Sequence, residues 1–136
     1  MSVFRYARGM NMEPGTHRLF ATRLAAAAGF LAVVLGAFGA HGLKHLLAQN
    51  GTTAIWEKAV FYHFIHAVML FALAERKIFP SFAWFSFFAG IILFSGSLYL
   101  LAVTNVQWLG AITPVGGVSF LIGWATLAYC SRTRTE

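Results

Sequence analysis

Long apolar runs alternate with short polar breaks along this chain. Four runs are long enough and free enough of charge to cross a bilayer, at residues 19–40, 54–74, 80–103 and 113–130. A helix needs about 20 residues to cross, since each adds about 1.5 Å and the hydrocarbon layer is about 30 Å thick. The fourth run is at the short end of that range. A start near Trp108 would lengthen it and place a kink at Pro114. The pattern predicts an all-α, integral membrane four-helix bundle occupying 19–130 as one domain.

The breaks carry their own signals. Residues 1–18, with Pro14, Gly15 and scattered charge, read as a mobile basic tail, and Met10 or Met12 could start the chain as well as Met1. Arg23 falls in the first turn of the first span, where its long side chain can snorkel to the headgroups. A basic start, an apolar core and the small residues Ala37 and Gly39 also fit a cleavable signal peptide, so retention of this span stays open. In 41–53, Leu43, Leu46 and Leu47 share one face, predicting a short interfacial helix that Asn50-Gly51 would end.

Thr53 is the expected N-cap of span two, with Glu57 in its first turn. Glu75, Arg76 and Lys77 make a tight turn, and Pro80 with Ser81 opens span three. Residues 104–112 form an uncharged connection, and Thr113-Pro114 would start span four as N-cap and N1. Trp56 and Trp108 are expected at one interface and Trp84 at the other, as aromatic anchors. Residues 131–136 form a second short tail.

Composition agrees with this class. Apolar residues make up 59% and charged residues 10%, against roughly half and a quarter in soluble domains. Charge then orients the spans. Arg5, Arg8, Arg18, Arg23, Arg76, Lys77, Arg132 and Arg134 fall on one side, and only Lys44 and Lys58 on the other. Basic residues concentrate on the cytoplasmic side, which predicts that both termini are cytoplasmic. The net charge of +6 does not point to nucleic acid, because the arginines flank spans instead of striping a folded face. The expected partners are the lipid bilayer and either a second copy or a larger membrane complex. Cys130 is the single cysteine, so no intramolecular disulfide forms, and it reads as a packing residue.

Small residues mark candidate contact faces. Gly29, Ala32, Gly36, Gly39 and Ala40 line one face of span one. Ser86, Gly90, Gly96 and Ser97 lighten span three, and Gly116, Gly117 and Gly123 lighten span four. Small residues let helix backbones approach closely in lipid, so these positions point to a compact bundle or an oligomer.

Span two carries the sharper chemistry, Phe61-Tyr62-His63-Phe64-Ile65-His66. The two histidines stand at i and i+3, about 60° apart on one helix. Ionisable residues inside a membrane are costly and often functional. Imidazole can ligate haem or metal, relay protons, or pack with its N–H bonded to a neighbour. His63, His66 and Tyr99 are thus candidate cofactor-binding residues, while Ser95, Ser97, Tyr99 and Thr113 are candidate structural partners. Glu57 lies about 120° from His63 and half a turn from His66, and is a poor partner. His41 and His45, at i and i+4, could hold a metal only if that segment is helical.

No phosphate-binding loop and no nucleophile elbow occurs. Aspartate is absent from the sequence, and three of the four glutamates lie at ends or turns, which nearly excludes paired-carboxylate chemistry. No cofactor is expected on these grounds.

Four stretches together carry a resemblance. They are Gly36-Ala37-Phe38-Gly39-Ala40-His41-Gly42-Leu43; Trp56 to Ala67; Leu93-Phe94-Ser95-Gly96-Ser97-Leu98-Tyr99; and Ile112-Thr113-Pro114-Val115-Gly116-Gly117 with Phe120-Leu121 and Gly123-Trp124. In this order the chain resembles, over about 19–130, the YgdD-like family of small bacterial inner-membrane proteins of unknown function, which has a related vertebrate transmembrane protein. The resemblance implies four helices in the inner membrane and supplies no reaction, substrate or cofactor. It marks His41, His66, Ser95, Ser97, Tyr99, Thr113 and Pro114, with His63 less tied to the pattern. A structural or accessory membrane subunit is the leading expectation. A redox or proton-handling subunit using His66, or an oligomeric small-molecule channel, stands as the alternative.

Overall fold

The computed structural model describes residues 14–132, with side chains over 15–130. The described residues form six α-helices in order: α1 (Pro14–Ala40), α2 (Lys44–Asn50), α3 (Thr53–Ala74), α4 (Ser81–Gly90), α5 (Gly96–Thr104) and α6 (Thr113–Arg132). A π-helical turn, Ile91–Ser95, joins α4 to α5, and a 3-10 turn, Gln107–Ala111, precedes α6. Among the described residues, four stretches are long and apolar enough to span a membrane: Gly15–Ala40, Thr53–Ala74, Ser81–Thr104 and Gln107–Cys130.

The spans divide into a middle and two edges. α1 packs chiefly along α3, and α6 along α4 and the π turn. In the most apolar window of each span, burial is 39% for α3 and 44% for the third span, against 17% for the first and fourth. The edge helices therefore turn most of their apolar surface outward, as lipid permits. The α1–α3 contact is built from alanine: Ala21, Ala25 and Ala32 on α1 are buried, as are Ala59, Ala67 and Ala74 on α3. Both sets recur at steps of four, seven or eight residues, which is one face of a helix.

Several boundaries differ from the sequence reading. The first helix begins at Pro14, so residues 14–18 are helical and not tail, and Arg23 lies in the third turn. Proline suits a first helical position because it gives up an N–H that would have no partner. Arg18 and Thr22 then tie this extension to Glu75, through Nη2 to the backbone oxygen at 3.4 Å and Oγ1 to Oε1 at 3.0 Å. Residues 1–13 and 133–136 lie outside the described part, while 131–132 continue α6.

The N-cap of α3 is Thr52, and Thr53 is its first helical residue. The Thr52 hydroxyl does not cap; it donates to the Ala102 carbonyl at 2.7 Å. α2 ends at Gly51, whose φ of 67° is a left-handed C-cap. The 3-10 turn and α6 together make the longer fourth span, with Trp108 near its start. Trp108 is exposed, but Trp56 and Trp84 are buried within the protein and are not interfacial anchors. Their indole N–H groups donate to the Leu35 and Leu70 carbonyls at 3.0 and 3.1 Å, which a dry interior demands. Cys130 is exposed on α6 and does not pack in the interior.

Candidate functional site

The intramembrane polar groups gather around α3, and the two histidines diverge. His66 points toward α6. Its Nδ1 lies 2.8 Å from the Tyr62 carbonyl, and the Trp124 indole donates to its Nε2 at 3.3 Å. A carbonyl only accepts, so Nδ1 carries the proton and Nε2 offers the lone pair that Trp124 occupies. The ring stacks on Phe120 with centroids 3.6 Å apart and planes at 11°, and Phe87 tilts against it at 5.4 Å. Both nitrogens and one face are thereby engaged within the chain.

His63 turns to the third span. Its Nδ1 is 3.2 Å from Tyr99 Oη, and Tyr99 in turn leans on Trp56 with centroids 4.7 Å apart. No hydrogen bond joins His63 to His66. The candidate trio His63, His66 and Tyr99 thus separates into a His63–Tyr99 pair and a His66–Trp124 pair. Ser97 and Thr113 bond each other at 2.9 Å, not a histidine. Ser95, wholly buried in the π turn, has no hydrogen-bond partner for its hydroxyl. His41 and His45 are exposed, and His41 lies in the turn between α1 and α2, so no continuous helix aligns them. Among the described residues, no three His, Cys, Asp or Glu side chains come together as a metal would need.

The glycine positions sort by what a side chain would meet. At Gly116 an added Cβ would stand 2.7 Å from Phe94 Cα and 2.8 Å from Leu93 C, so α6 and the π turn touch backbone to backbone. Gly39 lies beneath the Trp56 indole, Gly90 beneath the Phe120 ring, and Gly123 against the Phe87 ring. Gly36 would meet Val60 at 3.3 Å, and Gly117 only ordinary contact with Phe94 at 3.8 Å. Gly29 and Gly96 have open space, so neither is a contact point within this chain. The light face of the third span is its α6 face: Ser119 donates to the Ser86 carbonyl at 2.8 Å, Phe120 covers Gly90, and Ser97 meets Thr113.

Trp124, Phe120 and Ser119 were not legible as partners from spacing, since 58 residues separate Trp124 from His66. The one available signal was the motif Phe120-Leu121 with Gly123-Trp124, which follows the glycine pair of the same span.

With this geometry in place, the relatives are informative. Residues 35–117 match the family described as Protein of unknown function (DUF423). The chain belongs to that family. It is 49% identical over 100 residues to the UPF0382 membrane protein YwdK of Bacillus subtilis, covering 69% of this chain and 80% of that one. It is 45% identical over 113 residues to a UPF0382 membrane protein of Haemophilus influenzae, covering 79% and 90%. It is 43% identical over 108 residues to the UPF0382 inner membrane protein YgdD of Escherichia coli, covering 76% and 82%. No solved structure matches. The matched family region runs from the second half of α1 to the start of α6, so it includes both histidines and the π turn. This DUF423 chain is a multi-pass membrane protein, and the family name carries no activity.

Proposed function

We propose that this DUF423 protein is a non-enzymatic structural or accessory subunit of the bacterial inner membrane, with both termini cytoplasmic. Engagement of His66 carries this reading. The most distinctive intramembrane group spends both nitrogens on the helix backbone and on Trp124. A haem or metal ligand needs a free lone pair, and a proton relay needs a next acceptor. The polar groups here link helices instead: Ser97 to Thr113, Ser119 to Ser86, and Trp56 and Trp84 to neighbouring carbonyls. The edge helices α1 and α6 leave broad apolar faces on which lipid, a second copy or a larger complex packs. Open Gly29 on α1 gives one such face room for a close neighbour.

The test is mild-detergent extraction from the native membrane, followed by native mass spectrometry and absorption spectroscopy. The expected result is whole-number multiples of the chain with bound lipid, or the chain with another polypeptide, and no chromophore. A bound haem, quinone or metal lost in His66→Ala would overturn the reading.

A further inference from the structure

A groove of about 600 Å³ runs between α1 and α3 and is roofed at one end by α2. That volume lies within the range of pockets that hold small ligands. Its polarity is graded. Lys44, Thr53 and Glu57 line the end beside α2, while Phe61, Phe64 and Ile65 line the other end. From Glu57 to Ile65 the α3 backbone advances about 12 Å, against about 15 Å for half the hydrocarbon layer. One opposed pair of charges therefore stands near the end of the second span, above an apolar trough most of one leaflet deep. Gly36 and Gly39 on α1, with the Trp56 indole lying across Gly39, form part of its wall.

We propose that this groove holds one phospholipid with a primary ammonium headgroup, of the phosphatidylethanolamine class. The Lys44 ammonium faces the lipid phosphate, and the Glu57 carboxylate accepts from the headgroup ammonium. One acyl chain lies along Phe61, Phe64 and Ile65. Both charged side chains are exposed, so they reach a headgroup without leaving water. The charge pattern selects the occupant. An anionic glycerol headgroup leaves Glu57 without a cation, and a quaternary choline has no N–H to donate to it.

The test uses the full chain in nanodiscs containing equal parts of phosphatidylethanolamine, phosphatidylglycerol and phosphatidylcholine, read by native mass spectrometry on release. One phosphatidylethanolamine per chain is expected, retained over the other two by about fivefold, as one exposed charge contact allows. Glu57→Gln should abolish the preference over phosphatidylglycerol while leaving thermal stability unchanged. Lys44→Gln should lower retention of all three lipids. Equal retention of the three lipids by the unaltered chain would overturn the proposal, as would a preference that survives Glu57→Gln. A lipid-free dimer, cross-linked between cysteines placed at Phe61 and Phe64, would also overturn it by assigning the groove to a second copy.

Discussion

Trp124 donates its indole N–H to His66 Nε2 at 3.3 Å, joining the last span to the second across 58 residues. α3 and α6 pack mainly against other elements, so this bond and the His66–Phe120 stack are principal ties between them. Hydrogen bonds between helices in lipid contribute on average about 0.6 kcal/mol. Aromatic pairs add about 0.5–1.5 kcal/mol. Stacking therefore contributes about as much as the hydrogen bond or more.

A graded series follows. Trp124→Phe keeps an aromatic ring and loses the donor, and should cost about 0.6 kcal/mol. His66→Ala loses the stack as well and leaves the indole unpaired, and should cost about 2 kcal/mol. Reversible unfolding in mixed micelles measures both. A double-mutant cycle should give a positive coupling, and additive losses would show that the bond contributes nothing.

Gly116 and Gly96 should respond with opposite sign. Alanine at Gly116 must push α6 off the Phe94 backbone, and overpacking of this kind costs about 1–3 kcal/mol. Gly96 is helical, with φ −59°, and has open space around it. Gly96→Ala should be neutral or stabilising by up to about 1 kcal/mol. Thermal melting in detergent separates the two. A destabilised Gly96→Ala would mean that a neighbouring chain occupies that space.

Much of the fold was legible because hydropathy has the period and length of the span. Gly51 as a helix stop and the chain reversal after Ala74 follow from local chemistry, which adjacent residues determine. What failed to show locally was pairing between helices. The π turn Ile91–Ser95 has no sequence mark, and its Leu93-Phe94 backbone is where Gly116 of α6 packs. Small residues announced contacts at Gly36, Gly39, Gly90 and Gly116, yet the same signal at Gly29 and Gly96 meets nothing in this chain. Periodicity identifies a face and leaves its neighbour unnamed. The histidines show the same limit: their spacing suggested one site, and the neighbours Tyr99 and Trp124 draw them to two.

The α2–α3 elbow should act as one latch on the end of α5. Asn50 Nδ2 donates to the Ala102 and Val103 carbonyls at 3.1 and 3.2 Å, and the Thr52 hydroxyl to Ala102 at 2.7 Å. The last carbonyls of a helix lack intrahelical partners, so these donors answer a real need. Thr52 is buried, and Thr52→Val keeps its shape while removing its donor. The expected loss is about 1 kcal/mol. Asn50→Ala should cost less because Asn50 is partly exposed. Hydrogen exchange should show faster opening confined to α2 and the end of α5; uniform opening of every span would refute the latch.

The proposed orientation places the start of α1, the α3–α4 turn and the end of α6 on the cytoplasmic side. Arg18 reaches the Glu75 carbonyl, so the first two of these share one end of the molecule. Arg76 and Lys77 supply the positive charge of that turn, and positive charge near span ends sets orientation. Single cysteines at Ser81 and Gln107, in a Cys130→Ser background, should label oppositely with an impermeant maleimide in intact spheroplasts. Gln107 should react and Ser81 should stay protected until the membrane is opened. Replacing Arg76 and Lys77 by Gln should produce a mixed population in which both sites react in part, because Arg18, Arg23 and the C-terminal arginines still favour the original orientation. The reverse pattern in the unaltered protein would invert the topology.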